Sequence, residues 1–580
     1  MPKAIVIGAG FGGIAAALRL RRKGYAVTII DKQDQLGGRA YQYRRQTPLG
    51  TFVHDAGPTV ITAKFLFDEL FEMFGKRRED YVEFRDIYPW YRIRFADGST
   101  FDYGGTLEQF EAQIAKFEPA DVEGFRKYLA HSKKIFDVGF TQLGDQPFDK
   151  FTTMLKCAPA LLGLQNYKTV YGMAKKYIKN EKLRRVFSFQ PLLVGGNPFN
   201  TTSIYSLIFY LELQWGVQFA MGGTGAIVRG LERLMREEGI EIRLREEVTK
   251  IDWIPGHTRS VKMPDERGRS RSETVTVPST DIKVVTTDAV GKKRRDFAKL
   301  VVCNADAPGA YENLIDPKYR QGIAPRRVAS MKYSMGLFVL YFGTTKQYPD
   351  VAHHTIVLGN AYRELLVKLF DRNELEREDL SVYLHRPTAT DPTMAPDGME
   401  SFYVLVPVPN LKPRGGRGTT VRECDERSSY SGAVDAKNHA DAGSAGRTPL
   451  RSCLVSGAPL REDGTIDWRA FGDTFRDEVV RYLEKTVLPG LSACIVDAFY
   501  VTPEHFRDNL NTLHGTGFSI QPIFSQSAYF RFHNKAPGIE GLYFVGAGTH
   551  PGAGMPGVLC SAKVLEHLIP DAPCETQSGP

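Results

Sequence analysis

The sequence is poor in cysteine and tryptophan, with seven cysteines and four tryptophans in 580 residues. The cysteines, at positions 157, 303, 424, 453, 494, 560 and 574, are odd in number and scattered, with no C-x-x-C pair. Neither a disulfide framework nor a zinc site is therefore expected, and no metal is assigned. Also lacking is any run of ~18 or more consecutive apolar residues, which argues against a transmembrane helix. The longest apolar run near the centre, Met335 to Phe342, has only the length of a strand. No stretch ahead of the first strand is long enough for a cleavable signal, so synthesis in the cytosol is expected. Acidic residues do not dominate: 75 Lys and Arg stand against 67 Asp and Glu, a net charge of +8. That excess suits nucleic acid, an anionic membrane or a plain solvated surface, and no nucleic-acid module is visible.

At 580 residues the chain exceeds the ~250–300 at which a single core stops growing, so two domains are expected. The stretch that organises them is the first. Ala4-Ile5-Val6-Ile7 reads as a buried strand, followed by Gly8-Ala9-Gly10-Phe11-Gly12-Gly13, an alanine-rich helix from Ile14 to Arg22, and a second buried strand, Ala26 to Ile30. Asp31 stands at its end, eighteen residues beyond Gly13. Strand, glycines, helix, strand and acid in this order form a dinucleotide fingerprint. Its glycines serve the tight turn, the approach of backbone to a pyrophosphate and helix–strand packing. The helix N-terminus offers free N–H groups to phosphate, and Asp31 accepts hydrogen bonds from ribose hydroxyls. Leu36-Gly37-Gly38-Arg39-Ala40, directly after the acid, can lay backbone and a guanidinium beside the pyrophosphate.

Further along, Thr51 to Val60 is a strand running into the turn Gly57-Pro58-Thr59, and Lys64 to Gly75 has the apolar spacing of a core helix. Trp90 to Phe101 is a hairpin about Asp97-Gly98, with helices expected over Leu107–Phe117 and Pro119–Asp137. Phe151 to Phe187 mixes Leu155, Leu161, Leu162 and Tyr167 with many lysines, a pattern that lies on an anionic bilayer or forms a solvated helix pair. Gly223-Thr224-Gly225 precedes an amphipathic helix, but Val228 stands where a second nucleotide motif needs glycine. His257 to Asp296 reads as a polar, irregular excursion between two strands. Lys412 to Gly464 has almost no periodic apolar residues, and disorder is expected. The chain closes on a strand, the loop Gly546 to Gly557 and a helix. That helix, beginning near Val558, has an N-terminus that would stabilise negative charge on a bound, reduced cofactor.

The sequence resembles the bacterial-type phytoene desaturases, carotenoid dehydrogenases of the FAD-dependent amine-oxidase superfamily. The resemblance runs through Gly8 to Arg39, Asp55 to Thr59, Leu193-Val194-Gly195-Gly196-Asn197-Pro198-Phe199, Trp215-Gly216-Val217 and Gly546 to Gly557. It implies an α/β, Rossmann-type FAD-binding domain assembled from 1–62, 217–309 and 536–575. A mixed α+β substrate and membrane-associating domain would comprise 63–216 and 310–535, with 257–296 and 412–464 as insertions. It further implies FAD as the cofactor, held by Gly8, Gly10, Phe11, Gly12, Gly13, Asp31, Lys32, Gly38, Arg39, Gly57, Pro58, Thr59, Val248, Gly546, Gly548, Gly554 and Met555. The substrate would be a long apolar carotene, the electron acceptor oxygen or quinone, and the location cytoplasmic with peripheral attachment to the membrane.

A hydrocarbon offers no polar handle, so affinity must come from buried apolar area at ~25 cal/mol per Å². Desaturation then takes a hydride to flavin N5 and a proton from the neighbouring carbon. The resembling enzymes carry an aspartate and an arginine around the Met-Leu pair matched by Met154-Leu155, whereas Thr153 and Lys156 stand here. Lys156 and His550 are the candidate catalytic side chains, with reduced flavin or water as other proton acceptors. Other readings stay open on the same scaffold: a carotenoid isomerase, ketolase or later-step desaturase, an amine oxidase, or a silent flavin-retaining carrier.

Overall fold

A computed structural model describes residues 1–253, 257–264, 270–277, 281–320, 325–413 and 457–573, with 257–264 and 270–277 as backbone. Residues 414–456, most of the stretch expected to be disordered, lie outside the described residues.

Two sheets carry the architecture. The first is five-stranded and parallel, in the order Leu542–Phe544, Leu300–Cys303, Lys3–Ile7, Ala26–Ile30, Glu241–Arg243. Its central strands, Ala4–Ile7 and Leu300–Cys303, are short, β-branched-rich runs buried on both faces, as a parallel sheet covered by helices requires. Helix Phe11–Arg22 lies against it, with Ala15, Ala16 and Ala17 wholly buried. Small side chains let that helix pack closely in the core it shares with helices Thr224–Glu237 and Met555–Leu568. A buried ion pair from Arg19 to Glu566 and to Glu69 ties the first helix to the last. Strands from the beginning, middle and end of the chain thus share one sheet.

The second sheet has seven strands, in the order Ile495–Val501, Gly336–Thr344, Glu400–Val408, Val382–His385, His354–Leu358, Tyr91–Phe95, Thr100–Tyr103. All neighbours are antiparallel except His354–Leu358 with Tyr91–Phe95. Strand Gly336–Thr344 is buried at every position, and its alternation divides the surroundings. Phe338, Leu340 and Phe342 pack on helix Trp468–Thr486, while Leu337, Val339 and Tyr341 face the opposite way, into a cavity. The hairpin at Asp97-Gly98, helix Leu107–Phe117 and helix Asp121–Phe136 form as their sequences predict, the first helix closed by a capping box of Thr106 and Gln109.

The expectation of irregular backbone over 257–296 is overturned. Strands Glu246–Asp252, Ile282–Asp288 and Lys293–Ala298 form an antiparallel sheet, and His257–Pro264 pairs with Ser270–Val277. Ile282, Val284 and Thr286 are buried at alternate positions, a period-two signal that the surrounding charges obscure.

Candidate active site

The glycine turn closes around one side chain, Asn304, at the end of strand Leu300–Cys303. A Cβ on Gly12 would fall 2.7 Å from the Asn304 amide nitrogen, and one on Gly546 would fall 2.6 Å from it. That nitrogen donates to the Val545 carbonyl at 3.1 Å. The first and last glycine loops are therefore clasped to the middle of the chain by a residue that no motif singled out. Gly13 is equally constrained, because its Cβ would lie 1.9 Å from the Gly8 carbonyl oxygen. The Gly37–Ala40 loop docks on this turn through Gly37 N–H to Ala9 O, 2.8 Å.

Asp31 accepts from the backbone N–H of Ala9 at 2.6 Å and of Gln33 at 2.8 Å. Burial pushes its carboxyl pKa up against these bonds. The two N–H groups leave further lone pairs for a ribose. Lys32 is spent elsewhere: its ammonium donates to the Asp508 carbonyl and to Asn511 Oδ1, both at 2.6 Å. Val248 packs in the core with Ile5, Ile7 and Ile30 and does not line the cavity. Neither side chain turns into the cavity.

Arg39 lies at the cavity wall with Nε and Nη2 buried and lacking any hydrogen-bond partner among the described residues. Burial lowers its pKa, with the Asp306 carboxylate opposing. An unpaired buried guanidinium is costly and calls for an anion. Gly10, Gly12, Gly38 and Arg39 line one cavity with the turn at Gly57-Pro58-Thr59. Tyrosines of the second sheet pin that turn. Tyr403 OH lies 2.7 Å from Thr59 Oγ1 and donates to Gly57 O at 3.1 Å, and Tyr341 OH donates to Ala56 O at 2.9 Å. At the far side Gly554, at φ +94°, opens helix Met555–Leu568 with no side-chain cap, so its first N–H groups face the cavity. Buried Arg531 fixes the preceding loop by donating to Thr549 O at 3.0 Å and Ala547 O at 2.5 Å. Gly548 is packed against Ala307.

Beyond this cradle the same cavity, about 630 Å³, runs between apolar side chains including Phe140, Phe148, Leu161, Phe189, Leu192 and Leu207. Its wall also holds the acid Glu212. It is wholly buried; its two oxygens accept from Tyr91 OH at 2.9 Å and Tyr103 OH at 2.7 Å, and Gln190 supports Tyr103. Burial lifts its pKa to about 7 despite the hydrogen bonds from Tyr103 and Tyr91. Sequence reading passed over it as one acid inside an apolar helix, although an isolated acid there is a recognisable signal.

The two candidate catalytic residues fare differently from Glu212. Lys156 is exposed on helix Phe151–Gly163, where Met154 and Leu161 are the residues that turn to the cavity. It is not in the site. His550 does line the cavity, its ring tilted 4.8 Å from that of Phe148, but burial and then Arg531 push its pKa down to about 3. An imidazole so weakly basic holds no proton near neutrality and is a poor acceptor for one.

Residues 11–394 match the family described as flavin containing amine oxidoreductase. The chain belongs to that family. The phytoene desaturase (lycopene-forming) of Pseudescherichia vulneris is 39% identical over 98% of this chain and 99% of its own length. The neurosporene-forming enzyme of Rhodobacter capsulatus is 35% identical over 99% and 95%. Relatives of this closeness and coverage place the chain among the bacterial phytoene desaturases. Among solved structures, putrescine oxidase overlays with a TM-score of 0.54 at 12% identity, over 98% of each chain. Cyclohexylamine oxidase from Brevibacterium oxydans gives 0.52 at 14%, over 98% of this chain and 99% of its own. These share the fold. The protein is an FAD-dependent oxidoreductase, and the site fits the cofactor: the orphaned Arg39 guanidinium in the cavity wall suits the pyrophosphate.

Proposed function

We propose that the protein desaturates phytoene in an apolar cavity continuous with the flavin cradle. That continuity carries the reading, since it brings a hydrocarbon to the cofactor with no polar group to bind it. Bound FAD supplies a two-electron acceptor for hydride. The chain supplies the rest. Gly10, Gly12, Gly38 and Arg39 would hold the pyrophosphate and Asp31 the ribose, Gly57, Pro58 and Thr59 form a turn in the same cavity, and the N-terminus of helix Met555–Leu568 would stabilise added electron density. Each double bond costs the substrate one hydride and one proton from adjacent carbons. Glu212 is the proton acceptor: it is a carboxylate in the cavity wall, oriented by two tyrosines, with a pKa near neutrality.

The mouth bears on how substrate arrives. Among the described residues no helix is long and apolar enough to cross a membrane. Phe151, Leu155, Leu162, Tyr167 and Phe524 are nevertheless each at least half exposed, and Phe151 meets Tyr529 at 5.4 Å. Met154, Leu161 and Phe524 line the cavity from the same two segments. This apolar rim, with Lys150 and Lys156 beside it, would rest on an anionic bilayer and admit carotene directly. Oxygen or a membrane quinone would reoxidise the flavin.

The test is incubation of FAD-loaded protein with phytoene in liposomes, with pigments separated by chromatography. Products of longer conjugation, lycopene or neurosporene, are expected. Unchanged phytoene with flavin bound and an acceptor present would refute the assignment.

A further inference from the structure

His354 and His385, on the same sheet face as the cavity-lining Ile356, Leu358 and Tyr383, form with His353 a group of three buried histidines that the flavin chemistry does not use. His354 opens strand His354–Leu358 and is paired across the ladder with His385, the last residue of Val382–His385. Directly opposed residues project on one face, so their rings stack, 5.1 Å apart and 22° from parallel. His353 precedes the strand, and its ring lies 4.6 Å from that of His354 and 4.9 Å from that of His385. All three are almost or wholly inaccessible.

Their hydrogen bonding is incomplete. His353 Nδ1 meets Thr390 Oγ1 at 2.7 Å, and His354 Nδ1 lies 2.6 Å from Tyr383 OH. Nε2 of all three has no partner among the described residues. Buried polar atoms are nearly always satisfied, and a knot of three exceptions in one place points to a missing ion or water. A neutral imidazole nitrogen has one in-plane lone pair, yet His354 Nδ1 also lies 3.3 Å from His385 Nδ1.

Geometry separates an ion from a water. Two histidine nitrogens on one tetrahedral ion, each at ~2.0–2.1 Å from the metal, stand roughly 3.3–3.4 Å apart. The Nδ1 atoms of His354 and His385 already have that separation, so ligation through them would take the place of the Tyr383 hydroxyl on His354, and one nitrogen from each of the three lies within 4.8 Å of the others. Rotation of His353 would close the set. The nearest charges, Arg386 and Glu400, face each other at 3.5 Å and leave no carboxylate in the cluster.

We propose that His353, His354 and His385 form a three-histidine site for a divalent cation of the zinc class. All-imidazole donors favour zinc, copper or nickel over magnesium or calcium. The fourth position falls towards Tyr383, whose hydroxyl also lies 3.1 Å from Thr59 Oγ1. An ion here would thus brace the strand pair that supports the flavin turn, a structural role independent of the identity of the substrate.

The experiment is elemental analysis of the purified full-length holoprotein in chelator-free buffer, followed by exchange with Co²⁺ and an absorption spectrum. Near one equivalent of metal per chain is expected, with the strong visible bands of four-coordinate Co²⁺. His385→Gln should weaken metal binding by at least the ~10–100-fold seen when outer-shell partners are lost, with flavin still bound. If that variant does not fold, X-ray absorption on wild-type Co²⁺ protein decides by counting imidazole ligands. Absence of stoichiometric metal together with failure to take up Co²⁺ or Zn²⁺ would overturn the proposal and leave water in the cluster. Metal bound with fewer than three imidazoles would also overturn it.

Discussion

The Tyr91 hydroxyl donates a 2.9 Å hydrogen bond to Glu212, joining a strand of the second sheet to a carboxylate in the wall of the substrate cavity. Tyr103 donates to the other oxygen, and both phenols are held well above their ordinary pKa by burial and then by Glu212 itself. Neither tyrosine ionises in the working range, and the nearby His354 ring is kept neutral. The turnover number should therefore rise with pH as a single ionisation near 7 and then level off. Glu212→Gln should lose ~10²–10⁴-fold in turnover and flatten the profile, with flavin content unchanged. Stability should run the other way. The folded pKa exceeds the ordinary 4.5, so this group's contribution is complete below that value and is lost as pH rises through about 7. A pH profile identical in wild type and Glu212→Gln would remove Glu212 from the proton path.

Arg39 makes a prediction whose sign depends on the cofactor. In FAD-loaded protein, Arg39→Met should weaken FAD binding at least tenfold, about 1.4 kcal/mol. In cofactor-free protein the same change removes a buried, unpaired charge, so the melting temperature should hold or rise. Flavin titration and thermal melts of both forms check this, and a large fall in apoprotein stability would contradict it.

Gly13 tests the turn. An alanine Cβ there would lie 1.9 Å from the Gly8 carbonyl oxygen, a contact that backbone must move to relieve. Gly13→Ala should cost about 1–3 kcal/mol and abolish flavin retention, read by denaturant melts and by the flavin absorbance of purified protein. Normal flavin content would mean that the first turn tolerates a wider helix–strand separation.

Lys156 supplies the opposite expectation. Because it is exposed and points away from the cavity, Lys156→Ala should keep turnover on detergent-solubilised phytoene within about twofold, as surface substitutions usually do. A loss of tenfold or more there, with flavin bound, would restore it as a catalytic candidate.

What the sequence makes legible follows from how local each signal is. The βαβ turn, the hairpin at Asp97-Gly98 and helix Leu107–Phe117 are written in contiguous residues, and each forms where periodicity and turn chemistry put it. The strands within 282–298 were hidden because charged residues on one face outweigh the alternation of Ile282, Val284 and Thr286. Asn304 and the tyrosines at 341, 383 and 403 act across hundreds of residues, and no spacing rule connects them to the glycine loops they hold. His353, His354 and His385 likewise become neighbours only through the register of two strands.

The rim of the cavity separates delivery of substrate from chemistry. Leu155 and Leu162 are 57% and 62% exposed on a helix whose other face, Met154 and Leu161, lines the cavity. Apolar side chains so placed gain nothing from folding, yet each can bury area in a bilayer at ~25 cal/mol per Å². The double variant Leu155→Glu, Leu162→Glu removes that gain and adds charge that anionic lipid repels, while leaving the lining residues in place. In flotation assays with anionic liposomes the wild type should rise with the vesicles and the variant should stay in the dense fraction. With phytoene in detergent, where no bilayer must be engaged, the two should turn over within about twofold, since surface changes seldom exceed ~0.5 kcal/mol. With phytoene in liposomes the variant should fail. Equal flotation of both proteins would show that this rim does not mediate docking, and equal loss in detergent and in liposomes would show that the helix shapes the cavity and not its entrance.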